Sequence, residues 1–179
     1  MGFNYSNLTL GDKFGVNFGP GEKVKIICHP NLNSALYNQL RNVLVQALFM
    51  AAVFAVLKLI SHFTDANLDE FSTLIFMGVV SAISVLSAMW AVLKLKKTTY
   101  IVTDLSVIIH HDLLNSNVIV ISINEIKDKV LKKTLVDKHF NTGTVKIFTG
   151  QLKDNDGKTE KVYDDLQFIN DPEHVFSLV

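Results

Sequence analysis

The chain has 179 residues, 49% of them hydrophobic, and its seventeen basic and seventeen acidic side chains leave a formal net charge of zero. Balanced charge supplies no overall basic field of the kind that gathers nucleic acid, so no nucleic-acid partner is expected. The one cysteine, Cys28, can neither close an intramolecular disulfide nor build a Cys-rich metal site, and it reads as a small buried hydrophobe.

In chain order, residues 1–20 form an N-terminal extension. No basic stretch followed by an apolar run occurs there, so no cleavable signal peptide is expected and the first apolar helix must direct insertion. Phe3, Tyr5, Phe14 and Phe18 are spaced by Gly, Asn and Asp, a pattern with no fold of its own that should order only against a partner. Residues 21–40 hold the first strand, Glu22–Cys28, in which lysines alternate with apolar residues, and the lead-in to a helix.

Residues 41–94 read as a transmembrane helical hairpin. From Val43 to Ile60 the only polar residues are Gln46 and Lys58, and from Phe71 to Leu93 there is no charge. Each run is long enough to cross roughly 30 Å of hydrocarbon, and neither has the solvated face of a soluble amphipathic helix. The joining segment carries Asp65, Asp69 and Glu70 and no Lys or Arg, while Arg41, Lys94, Lys96 and Lys97 flank the outer ends. That bias places both termini in the cytoplasm of a multi-pass protein of the inner (plasma) membrane. Small residues recur at close-approach spacing: Ala47, Ala51 and Ala55 in the first helix, and Gly78, Ser81, Ser84 and Ala88 in the second. Such stripes pack helices within the hairpin or join copies into a homo-oligomer. Gln46 is expected to hydrogen-bond between helices.

Residues 95–179 change to short β-rich runs: 98–103, 107–111, 118–123, 130–136, 144–148 and 162–169. Asp104-Leu-Ser106 and Asn115-Ser-Asn117 make tight turns, Asn141-Thr-Gly143 supplies a left-handed glycine, and Asn155-Asp-Gly157 is a hairpin signal. Consecutive hairpins predict an antiparallel meander. At the end, Asn170-Asp-Pro-Glu gives an N-cap, a proline at N1 and an acidic first turn, so a short terminal helix should follow. Because both flanks of the membrane hairpin share one side, Glu22–Cys28 should return to the same sheet, with the hairpin inserted between its first and second strands.

The order GPGEKVKIICHP (19–30), a two-helix hairpin, TTYIVTDLSVIIHHDLL (98–114), SINEI (122–126), FNTGTVKIFTG (140–150) and FINDPEHVFSLV (168–179) resembles the bacterial pleckstrin-homology-like (PH-like) family of the membrane-anchored type. The resemblance implies a mainly-β PH-like antiparallel sandwich with a short C-terminal helix, carried beside the α-helical membrane hairpin. It also implies a membrane-tethered module of a kind without a known reaction. The Thr103-Asp104 turn continues with Leu105-Ser106, so the basic group usual there is missing.

The residues themselves agree on chemistry. His110 and His111 are adjacent on a strand and point to opposite faces, and no HExxH pattern occurs, so no metal site is expected. No glycine-rich loop opens a helix after a strand, so no nucleotide cofactor is expected. Glu125, Asp128, Asp137, Asp164 and Asp165 read as isolated surface charges. Lysines 127, 129, 132, 133 and 138, set against Asp128 and Asp137, leave a net +3 over Lys127–Lys138. Lys127, Lys129, Lys132 and Lys133, with Lys94, Lys96 and Lys97, are the candidate contacts to anionic membrane lipids. Their alternative role is a charged strand edge that blocks aggregation. The function expected is a non-enzymatic, membrane-tethered interaction module that binds a protein partner or serves a larger membrane complex. The alternative is a sensor of anionic headgroups.

Overall fold

The computed structural model describes residues 15, 18, 21–64, 70–113, 115–155 and 158–179. Phe3, Tyr5 and Phe14, the aspartates of the inter-helix turn and the tip of the Asn155 hairpin lie outside these. The chain divides into two compact units, one formed by residues up to Ser34 together with Lys94–Val179, the other by Ala35–Leu93.

The second unit consists of most of α1 (Leu32–Thr64) and α2 (Glu70–Lys96). Leu32–Ser61 and Ile75–Lys96 are long and apolar enough to cross a membrane. Half-buried residues recur at three- and four-residue steps: Val43, Gln46, Met50, Phe54, Leu57 and Ser61 on α1, and Thr73, Met77, Val80, Ser84, Ala88 and Ala91 on α2. This is the period of a helix seam. Ser84 and Ala88 lie on it, and Ser84 satisfies its hydroxyl by donating to the Val80 carbonyl. Ala47, Ala51, Ala55, Gly78 and Ser81 are exposed instead. The seam of α1 is filled by larger side chains, so its alanine stripe faces away from the hairpin's own contact.

The first unit is a pair of antiparallel sheets. Sheet one has the order β1 (Val24–Cys28), β2 (Thr98–Thr103), β3 (Ser106–Asp112), β4 (Ser116–Ser122). β1 pairs with β2 across the inserted hairpin, Cys28 opposite Tyr100 and Ile26 opposite Val102. Sheet two has the order β5 (Asp128–Lys132), β6 (Thr142–Phe148), β9 (Asp164–Asn170), and β7 (Leu152–Asn155) pairs with β8 (Lys158–Lys161) as a separate ribbon. The meander expected from the turns therefore holds for β1–β4 but breaks afterwards, since β6 takes β9 as its neighbour and leaves the ribbon outside.

Alternation sets the core between the sheets. Tyr100, Val102, Val107, Ile109 and Ile121 from sheet one meet Val145, Ile147, Leu166 and Ile169 from sheet two, with Val175 of the terminal helix α4 (Pro172–Leu178). The opposite face of sheet one holds a smaller cluster in which Phe18, Val24, Ile27 and Val118 pack on buried Ile101 and Ile108. Phe18, expected to order only against a partner, finds its contact within the unit.

Three local expectations are corrected. The run 130–136 is not one strand: β5 stops at Lys132, and Thr134 caps α3 (Leu135–Phe140) in a reciprocal box with Asp137. The left-handed residue at the α3–β6 turn is Asn141, at φ 50°, and not Gly143. Gly143 is required for closeness, because a Cβ there would lie 2.9 Å from Pro172 Cγ. The terminal helix does begin at Pro172, but Asp171 is itself left-handed, at φ 46°, and makes no side-chain cap.

Candidate interaction surfaces

Two buried carboxylates, Glu22 and Asp137, are held in hydrogen-bond networks of the fold. Glu22, only 6% exposed, accepts hydrogen bonds from Thr103 Oγ1 at 2.5 Å and Ser106 Oγ at 2.6 Å. Thr103 Oγ1 in turn accepts from the Leu105 and Ser106 amides. Lys23 and Asp104 exchange backbone and side-chain bonds beside it. The segment before β1 is thus buckled to the β2–β3 turn. Asp137, read as a surface charge, is 3% exposed. It accepts from the amide and hydroxyl of Thr134 and from the hydroxyls of Thr142 and Ser34. The signal that marks it in sequence is the Thr-x-x-Asp spacing of a capping box.

The histidine pair divides between faces. His110 is buried and bonds Ser116 Oγ at 3.1 Å. His111 Nδ1 meets Thr98 Oγ1 at 2.8 Å. The Thr98 hydroxyl gives its one proton to the Lys94 carbonyl at the end of α2, so neutral His111 must donate from Nδ1. Its pKa is held below the ordinary value by burial first, then by Lys94 and His110. Cys28 is half-buried, and burial pushes its thiol up to about 11, away from the reactive thiolate. Among the described residues no three His, Cys, Asp or Glu side chains gather as a metal site.

The lysines in and beside β5 separate into two roles. Lys129 Nζ donates to the Phe176 carbonyl at 2.9 Å and sits 4.7 Å from the Phe176 ring centroid. Lys133 is ion-paired with Glu173, and Lys25 from β1 reaches the Leu178 carbonyl. Lysines from both sheets therefore cap the carbonyl end of α4, where positive charge is favourable. Lys127 and Lys132 are exposed, the former crossing Gly150. Lys94, Lys96 and Lys97 are exposed at the end of α2 and just beyond it.

In the helical unit, Leu36, Gln39, Leu40 and Val43 with Val85, Ala88, Met89, Val92 and Leu93 line a groove of about 350 Å³. In the β unit, the ribbon is exposed over its described residues, with Leu152 at 59%. At its base Lys161 pairs with Asp128 at 3.3 Å and lies 4.9 Å from the Phe148 ring centroid.

Neither a curated protein nor a solved structure matches the chain. The model of a family described as bacterial PH domain matches residues 43–173, which takes in α2, β2–β9 and most of α1, but not β1. With the two facing antiparallel sheets and the C-terminal helix, that match shows that the chain belongs to the bacterial PH domain family.

Proposed function

We propose that this chain is a membrane-tethered, non-enzymatic interaction module of the inner membrane, with both termini cytoplasmic, that binds a protein partner or serves as an accessory subunit of a larger membrane complex. The observation that carries the reading is the β7–β8 ribbon, which belongs to neither sheet and offers Leu152 and charges of both signs to solvent. An arm paired at its base with Asp128 and apolar near that base suits recognition of a folded surface. Glu22 and Asp137 are engaged in hydroxyl networks and Asp128 with the ribbon.

Lys94, Lys96, Lys97, Lys127 and Lys132 add weak attraction to anionic headgroups. A headgroup sensor built on the whole lysine cluster is the weaker reading, because Lys129 and Lys133 are turned to α4.

Native co-purification from mild detergent tests the proposal. A stoichiometric protein should accompany the full chain and be lost when 152–161 is replaced by a short Gly/Ser link. Retention of that protein by the variant, or recovery of anionic lipid alone, argues against it. Orientation is tested separately in a Cys28→Ala background. Asn67→Cys should react with an impermeant maleimide in intact cells, and Asn155→Cys only after the membrane is opened; the reverse pattern overturns the topology.

A further inference from the structure

Among the described residues, one edge strand of sheet one, β4, lacks the devices that normally protect an edge. β4, with the sequence SNVIVIS, pairs with β3 along all seven residues without a bulge. It is the last strand of its sheet, and it contains no charge and no proline. Exposed edges are usually blunted by lysine, proline, bulges or a covering element, because their free N–H and C=O groups template further pairing. β5, an edge strand of the other sheet, carries charge in Asp128, Lys129 and Lys132. β4 instead presents Val120, 56% exposed, at its middle.

We propose that β4 is a self-association edge, pairing antiparallel with β4 of a second copy about a twofold axis at Ile119. In that register Val118 stands opposite the partner's Val120, Ile119 opposite the partner's Ile119, and Ser116 opposite the partner's Ser122. Asn117 opposite the partner's Ile121 is the one departure from like against like. The register also preserves the faces of the sheet. Ile119 and Ile121 point to the sandwich core, Val118 packs with Ile101 and Ile108 on the other side, and each residue meets one from its own face. A slip by one residue would set core-facing against outward-facing side chains.

A second copy is the occupant because the strand's near-palindromic order complements itself and no charge repels its duplicate. Anchoring by the helical hairpin would also confine copies to one plane, which raises their local concentration. The inference uses a different surface from the ribbon, so either can fail without the other.

Cross-linking in liposomes with the full-length chain tests the register, again in a Cys28→Ala background. Directly paired residues in antiparallel strands have Cα atoms about 4.5–5.5 Å apart, within the reach of a disulfide. A mixture of Val118→Cys and Val120→Cys chains should oxidise to a covalent dimer several-fold more efficiently than either alone, and Ile119→Cys should cross-link with itself. Val120→Lys, a change at an exposed position, should convert the dimer to monomer in native mass spectrometry while leaving the melting curve in place. A monomeric wild-type chain without Val118–Val120 cross-links overturns the proposal. So does cross-linking that is equally efficient from Leu152→Cys, which would mark non-specific collision.

Discussion

Glu22 binds the start of the β unit to a turn eighty residues later through two hydroxyls, and the physical value of that contact lies in what its loss would strand. Glu22→Ala would leave the buried Thr103 and Ser106 hydroxyls without their carboxylate acceptor, at a cost of about 2 kcal/mol in denaturant unfolding. Glu22→Gln keeps an acceptor oxygen and should cost less; equal losses would show that charge, not hydrogen bonding, holds the turn. His111 offers a pH test. Its folded pKa lies below its ordinary value of 6.5, so near and below that pH the unfolded chain binds the proton more readily. Stability contributed by neutral His111 is therefore full above the unfolded pKa and declines as pH falls through 6.5 toward the folded value. His111→Gln should flatten the unfolding midpoint against pH between about 7 and 5. An unchanged slope would assign that dependence to another group.

Among the elements, α4 owes its position to contacts that sequence periodicity does not reveal. Its first turn rests on Gly143, and its last carbonyls are held by Lys25 and Lys129. A Cβ at residue 143 would stand 2.9 and 3.0 Å from Pro172 and 3.2 Å from Lys133 Cγ. Gly143→Ala should then push the helix outward and cost about 1–3 kcal/mol, with faster amide exchange in Pro172–Leu178 than in β2 and β3. Uniform protection would mean that the helix accommodates the methyl in place. β9 shows a related device. Phe168 adopts φ 52°, a left-handed conformation rare for a bulky residue, beside a register shift between Gly143 and Val145 of β6. Its carbonyl accepts from the Asn31 amide at 2.7 Å, while Asn31 Oδ1 caps α1 through the Asn33 and Ser34 amides. The bulge aims a carbonyl at the start of the first long helix, so local strain is offset by a tertiary bond.

For the whole molecule, the separation into two units implies that the β unit keeps its core without the helices. Every residue of the main core comes from Ile26–Cys28 or from beyond Lys97. A chain with Ala35–Leu93 replaced by a flexible Gly/Ser link should therefore be water-soluble and melt cooperatively, with the amides of Ile101 and Ile108 strongly protected. Ile26→Asp in that shortened chain should abolish cooperative melting, although it lies some seventy residues from its sheet neighbours in the natural sequence. A broad, non-cooperative transition in the unmutated short chain would show that the core needs the helical unit.

By itself the sequence determined what depends on local pattern. Two uninterrupted apolar runs can satisfy their backbone only as helices, β-branched alternation read Thr98–Thr103 to the residue, and the family's order of motifs named the fold. The return of Glu22–Cys28 to β2 was legible too, because a hairpin read as crossing a bilayer twice brings its flanks back to one side. Tertiary structure decided whatever depends on distant partners. Asp137 looked solvated because its acceptor role needs Ser34 and Thr142 brought together from separate segments. Gly143 looked like a turn glycine because the proline that crowds it is twenty-nine residues away. The lysines in and beside β5 looked like one patch because the helix that engages Lys129 and Lys133 comes last in the chain. Burial and hydrogen bonding act through space, and a side chain's role follows from neighbours that only the closed sandwich assembles.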